Sequence, residues 1–374
     1  MPILHVSNFY ALRRIRWPLE GVSVLTGANG SGKTTALLAL KAIRAAFDRS
    51  LPEAVSQVLG GSYNLRNHAA AEGEPVELGI DLDDLSWRIR LIPRGATVDS
   101  MTDESLCRGD EVIFRRDSLG NFSYRGAPQE LPPVAAERLG LRWVTEVHPE
   151  DAEAARLASL IRGIHVYHDP DLHGLREGGS RATEDRHLHT RGRNVFTMLR
   201  QWRDRRDDAR RFVFVDEGMK AAFPGVYESM DFDAGQTITA RIYRPGAEVP
   251  NPISHEANGV VSMLMLLAQV ASAEQGGVVA IDEPEHALHP FAIRRFIARS
   301  RAWARQNELT ILLTTHSPVL LNQFNAEPER IFVLEPGHEV APVRLNELHD
   351  RNWLANYTVG ELYVDGVFAA NEKT

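Results

Sequence analysis

The stretch Val22 to Thr35 constrains this chain more than any other, because its glycine spacing admits few backbone paths. Residues Gly27-Ala28-Asn29-Gly30-Ser31-Gly32-Lys33-Thr34 satisfy G-x-x-x-x-G-K-[ST]. An apolar run through Val22, Val24 and Leu25 precedes them, and a helical stripe through Ala36, Leu37, Leu40 and Ile43 follows. Glycines at 27, 30 and 32 let successive N–H groups turn toward a polyphosphate, and the end of the next helix adds partial positive charge. Gly27 to Thr35 is therefore the predicted ATP-binding segment. Lys33 is expected at the β- and γ-phosphates, and Thr34 is expected to place its hydroxyl on Mg²⁺, a cation that takes oxygen ligands. Only four lysines occur, at 33, 41, 220 and 373, among 42 lysines and arginines. Lys33 stands out accordingly, because a compact ammonium fills a role that guanidinium fills poorly.

A second chemistry-bearing segment lies far downstream. Val278-Val279-Ala280-Ile281 is short and wholly apolar, as a strand buried on both faces is, and it ends in Asp282-Glu283. Ligands bind at the carboxyl ends of strands in α/β sheets. Asp282 is predicted to support Mg²⁺, and Glu283 to orient and deprotonate the attacking water. Leu309 to Leu313 repeats the pattern and ends in Thr314-Thr315-His316-Ser317-Pro318, which puts His316 at the γ-phosphate. Upstream, Glu256-Ala257-Asn258-Gly259 introduces an apolar helix from Ser262 to Val270, with Asn258 read as its N-cap. Three strand tips thus converge on one nucleotide.

Composition sets the remaining bounds. The chain has 374 residues, 43% hydrophobic and 25% charged, as an ordinary globular protein does. No apolar run reaches the roughly 18 residues of a membrane helix. The N-terminus lacks a signal-peptide layout, and the single Cys107 excludes an internal disulfide framework, so a cytoplasmic location is expected. A net charge of −8 confines any nucleic-acid contact to a local patch. The densest such patch is an arginine-rich helix expected from about Asn194 to Arg211, with arginines at 191, 193, 200, 203, 205, 206, 210 and 211. Histidines 165, 168, 173, 187 and 189 gather near Asp169 and Asp171 without tight metal-ligand spacing. Gly95 to Asp110 reads as an acid-rich loop between strands.

Together, the loop at 27–34, the strand at 278–283 with Glu285 and Leu288-His289-Pro290, and Thr315-His316-Ser317-Pro318 resemble the ABC-type ATPases of the overcoming-lysogenization-defect and recombination-repair class. Asn8-Phe9, the Leu188, Gly192 and Asn194 region, Phe223-Pro224-Gly225 and Gly360-Glu361-Leu362-Tyr363…Gly366 resemble compact stand-alone members found in bacterial defence systems. The resemblance implies Glu283 as catalytic base and His316 as switch histidine. It also makes Ala257-Asn258-Gly259 the signature that meets the γ-phosphate held by a second copy. Ala257 replaces the usual serine, so recognition there leans on Asn258, the Gly259 N–H and the helix end. A lid glutamine has no clear equivalent, and Asn64 to His68 is the span assigned to it.

The expected fold class is α/β: an ABC-type P-loop ATPase core, a mixed sheet with flanking helices, carrying an inserted α/β-to-helical segment. Residues 1–120 and 246–374 are expected to form the two ATPase lobes and 121–245 the insertion. The expected function is Mg²⁺-dependent ATP hydrolysis by a homodimer, or a higher oligomer, closed over its nucleotides. Such a protein regulates a separate effector, with DNA as a candidate ligand of the Arg191–Arg211 helix. A DNA-repair ATPase is the alternative, although no sustained heptads supply its coiled coil. A transporter subunit is disfavoured, because Leu-Ser-Gly-Gly-Gln is missing.

Overall fold

The computed structural model describes residues 1–62, 65–94, 97–98, 103–132, 138–185, 187–335 and 341–370. Among them, the strand that feeds the glycine loop, Val22–Gly27, lies inside a six-stranded sheet. Its order is Ile164–Tyr167, Val278–Ile281, Thr310–Thr314, Val22–Gly27, Ile331–Leu334, Val343–Arg344. The first five strands run parallel, and the last pairs antiparallel at the edge. Alternate side chains split between two cores. Val24, Val279, Ile311 and Val333 face one, while Leu25, Ala280, Leu312 and Phe332 face the other. Burial on both faces is why these strands read as continuous apolar runs.

One face is covered by the helices Asn258–Ser272, Pro290–Asn307 and Ala209–Ala222, which pack on one another. Over the other face lies helix Lys33–Asp48, held between the parallel sheet and an eight-stranded antiparallel sheet. That second sheet runs Ala127–Gln129, Phe122–Tyr124, Glu111–Arg116, Asp103–Arg108, Leu85–Leu91, Val76–Leu82, Pro2–Phe9, Leu12–Pro18. A smaller sheet is built on the hairpin Ser229–Ala234 and Thr237–Tyr243, flanked by Ser180–Arg181 and Asn251–Pro252.

Three expectations change. Within 95–110, where 95–96 and 99–102 lie outside the described residues, Asp103–Arg108 is a strand and not a loop. Its inward residues are Glu104 and Leu106, and the buried carboxylate disguises the alternation. Much of the span 121–245 is also not an insertion. Phe122–Tyr124 and Ala127–Gln129 extend the antiparallel sheet, Gly140–Val147 and Ala152–Arg162 pack into the same core, and Ile164–Tyr167 is a strand of the parallel sheet. Finally, the helix expected over 194–211 is two, Val195–Asp204 and Ala209–Ala222. The break falls at Arg205-Arg206-Asp207-Asp208, a fully charged run with nothing to bury.

Glu104 ties the antiparallel sheet to the helix beneath it. Its carboxylate accepts from Trp87 Nε1 at 2.9 Å, from Gly140 N at 2.5 Å and from Leu141 N at 3.0 Å. Truncation to alanine leaves three buried donors without an acceptor. Glu104→Ala is expected to cost about 2–4 kcal/mol in urea unfolding; a loss below about 0.5 kcal/mol, the range of ordinary surface substitutions, means the carboxylate is not a tie.

Candidate active site

At the tip of Val22–Gly27 the chain turns through exposed Asn29 and Gly30, and Ser31 N donates back to Ala28 O at 3.2 Å. Gly30 has φ +77°, and Gly32, the residue capping helix Lys33–Asp48, has φ +102°. A Cβ on Gly32 would stand 2.5 Å from Leu12 Cδ2. Conformation requires glycine at the first position, and both conformation and space require it at the second. Ser31 Oγ is buried without a hydrogen-bond partner among the described residues, and the Lys33 ammonium is held by the carbonyls of Gly27 and Ala28, each at 2.9 Å. Burial lowers Lys33 from its usual range to about 8, against the opposing pull of Glu283, Asp282 and Glu285. Thr34 and Thr35 follow on the first helical turn.

Asp282 lies across from Thr34, whose hydroxyl donates to Oδ2 at 3.0 Å. His168 Nδ1 lies 3.0 Å from the same oxygen, and the Thr314 hydroxyl donates to Oδ1. Burial alone would raise Asp282, but the bonds from His168, Thr314 and Thr34 outweigh it and hold the carboxyl below its ordinary range. Ionised Asp282 and Thr34 Oγ1 are the oxygen pair that a hard divalent cation needs, with its remaining positions left to phosphate and water. The donor set and the glycine cradle therefore fit a Mg²⁺-nucleotide.

Glu283 occupies the left-handed region at φ +44°, with its N–H donating to Thr314 Oγ1 at 3.1 Å. Non-glycine residues held there cluster at functional sites. Its carboxylate lies 2.7 Å from His286 Nε2 and 3.6 Å from His316 Nε2. Burial, and next the charge of Lys33, lower His316 from its usual range, against the opposing pull of Glu283 and Asp282. His316 Nδ1 lies 3.1 Å from the Tyr363 hydroxyl. Glu285 stands behind this pair, accepting from Thr315 Oγ1 at 2.6 Å and His316 N at 3.1 Å, and burial raises its carboxyl.

The structure thus brings Lys33, Thr34, Asp282, Glu283 and His316 together. Asn258 and Gly259 have other partners. Ala257, not Asn258, is the N-cap of the helix, and Asn258 Oδ1 accepts from Arg176 Nη1 at 2.5 Å. A Cβ on Gly259 would lie 2.7 Å from Ala287 O, so close packing within the chain already demands glycine there. The span assigned to the lid begins at Asn64, outside the described residues. Its remainder is tied to the first hairpin, with Tyr10 N donating to Leu65 O and Asn67 N to Asn8 O, both at 2.9 Å. The residue that borders the Asp282 carboxylate from the edge strand is His168, just past Ile164–Tyr167. Among the described residues no cluster of histidines and acids is placed to hold a metal; His173 pairs with Glu177 and His189 with Asp185.

A cavity of about 760 Å³ lies beside the loop, lined by Gly30, Ser31, Asn8, Leu12, Arg13 and Glu74. Its size suits a nucleoside. Arg13 is fixed there by Glu74 at 2.6 Å. No local signal marks Leu12, Arg13 and Glu74, because the first hairpin reaches the loop only through tertiary packing.

A glycine loop and an acidic strand tip meeting over a parallel sheet define a P-loop nucleotide-binding protein. Its fold is similar to that of Smc heads. The SmcHead bound to the C-winged helix domain of ScpA matches with a TM-score of 0.54 at 14% identity, over 93% of this chain and 99% of that one. The Smc head domain with an extended coiled coil, bound to the C-terminal domain of ScpA derived from Pyrococcus furiosus, matches with a TM-score of 0.51 at 14% identity, over 93% and 98%. More particularly, the family described as "AAA domain, putative AbiEii toxin, Type IV TA system" matches residues 114–322, more than half of the chain, and the chain belongs to that family. The matched span includes Asp282, Glu283 and His316 and begins beyond the glycine loop. No curated protein matches the chain in sequence. No helix among the described residues is long and apolar enough to cross a membrane.

Lys33→Ala removes the one ammonium in the loop. ADP affinity measured by calorimetry is expected to fall about tenfold or more; unchanged affinity would remove the loop from nucleotide binding.

Proposed function

We propose that the chain is an ABC-type ATPase that binds and hydrolyses ATP with Mg²⁺ in the cytoplasm. In this reading it works as a homodimer and switches a separate effector protein, nuclease-like in character, in bacterial anti-phage defence. The observation that carries the reading is the 3.0 Å contact between Thr34 Oγ1 and the Asp282 carboxylate. It joins the glycine loop to the acidic tip of a strand two places away in the sheet.

Each residue has a role that follows from its surroundings. Backbone N–H groups of Ala28 to Thr35 and the Lys33 ammonium hold phosphate oxygens. Thr34 and Asp282 hold the metal, which neutralises charge on the β- and γ-phosphates when bound. Glu283 accepts a proton from the attacking water. His316, steadied by Tyr363, donates a hydrogen bond at the γ-phosphate. The Asn258-Gly259 turn of a second copy would complete the site. Membership in a family described by reference to a toxin and a type IV toxin–antitoxin system supports a role within a defence module of more than one protein. Smc heads bound to ScpA support docking of a separate chain on such a head.

The alternative, direct DNA binding through the arginine-rich stretch, has less support. Arg191, Arg193, Arg200, Arg203 and Arg211 are engaged by Asp169, Asp171, Asp204, Asp231 and Asp208. Arg211 also donates to Ala271 O and Ser272 O. Arginines already paired have little charge left for phosphates.

Glu283→Gln keeps the shape of the side chain and loses the proton acceptor. ATP binding is expected to persist while phosphate release falls about 100-fold or more, and an ATP-bound dimer is expected to accumulate in light scattering. Wild-type phosphate release from the variant would show that Glu283 is not the base.

A further inference from the structure

A second cavity, of about 480 Å³, lies away from the glycine loop between the later turns of helix Lys33–Asp48, helix Leu51–Val58, the edge strand Ile164–Tyr167 and the segment 187–190. Its floor is apolar, formed by Ala45, Ala54, Ile164, Val166 and Leu188. Its walls carry an excess of basic side chains over two carboxylates, Asp48 and Glu53. Arg44 is paired with Asp48 at 2.9 Å, Arg49 hydrogen-bonds Gln57, and His189 is 3.0 Å from Asp185. Lys41, His165 and His187 also line it, and none of these three side chains has a hydrogen-bond or ion-pair partner among the described residues. The two imidazoles face each other with ring centroids 6.0 Å apart.

Six basic side chains gathered against two carboxylates, Asp48 and Glu53, suppress one another's protonation. Burial lowers His165 to about 4, helped by Arg44, His187 and Arg211, and burial with Arg191 lowers Lys41. An anion with several acceptor oxygens would satisfy all three groups at once. The volume falls in the range of small-ligand sites, and the apolar floor offers a surface for a flat ring.

We propose that this cavity binds a small phosphate-bearing molecule of nucleotide size, as a site separate from the ATP held at the glycine loop. The free basic groups sit inside a concavity and do not spread along the surface, which favours a small ligand over a nucleic-acid backbone. The strand forming its floor continues directly into His168, which contacts Asp282. An occupant therefore packs against an element that reaches the metal side of the ATP site.

The test follows the imidazole resonances of His165 and His187 by NMR in the full chain, with saturating Mg²⁺-ADP present to fill the glycine loop. AMP, inorganic pyrophosphate and a short DNA duplex are the probes. AMP and pyrophosphate are expected to shift both resonances saturably, with Kd below about 1 mM. Lys41→Ala is expected to weaken that binding about tenfold without altering ADP affinity, and the response should persist in Lys33→Ala, which separates this site from the ATP reading. The proposal is overturned if neither small probe gives a saturable shift, if Lys41→Ala binds them as tightly as wild type, or if only the DNA duplex moves the resonances.

Discussion

The carboxylate of Asp282 is the point on which the upper edge of the parallel sheet depends. It is nearly buried, and a carboxylate survives burial as an anion only when hydrogen bonds replace water. Thr34, Thr314 and His168 supply them from three different elements. Thr314 is shared in turn, donating to Asp282 and accepting from Glu283 N, so one hydroxyl sets both acids. Thr26 and Thr315 form a second layer beside it, with Thr26 donating to Thr315 O at 3.2 Å and Thr315 to Glu285 at 2.6 Å. The strand tips are thereby locked into one hydrogen-bonded plate.

That plate can be rigid because the sheet beneath it is filled on both sides. The core containing Val24, Ile281 and Leu313 belongs to the long helices, while the core containing Leu25, Ala280 and Leu312 belongs to helix Lys33–Asp48 and the antiparallel sheet. The helix that begins at the glycine loop is thus clamped between two sheets, which fixes the direction of its N-terminal N–H groups. The C-terminal helix Val359–Val364 locks the last member of the site. Val359 N and Gly360 N donate to Asn325 and Asn322 at 2.9 and 2.7 Å, and Tyr363 reaches His316.

Charge is handled locally. Most arginines of the 191–211 stretch answer an aspartate, some of them distant in sequence: Arg203 pairs with Asp231 at 2.7 Å and also lies over the Phe232 ring at 4.9 Å. Five of the eight arginines are therefore already offset by aspartates in space. The reverse holds at Lys41, His165 and His187, which share one cavity although neither imidazole nor the ammonium has a side-chain ion pair among the described residues.

Local pattern alone made the phosphate-loop and strand-tip parts of the candidate site legible. Gly27 to Thr34, Val278 to Glu283 and Leu309 to His316 were readable because a phosphate loop and doubly buried strands restrict residue type position by position. What only the tertiary structure decided depends on partners far apart in sequence. Asp103–Arg108 became a strand because Glu104 found donors at 87, 140 and 141, and the charged run at 205–208 broke a helix that arginine content suggested. Gly259 is glycine because Ala287 O lies against it, a constraint no local spacing shows. His168, Arg13 and Tyr363 joined the site for the same reason: long-range packing places them, and nothing in their immediate sequence requires it.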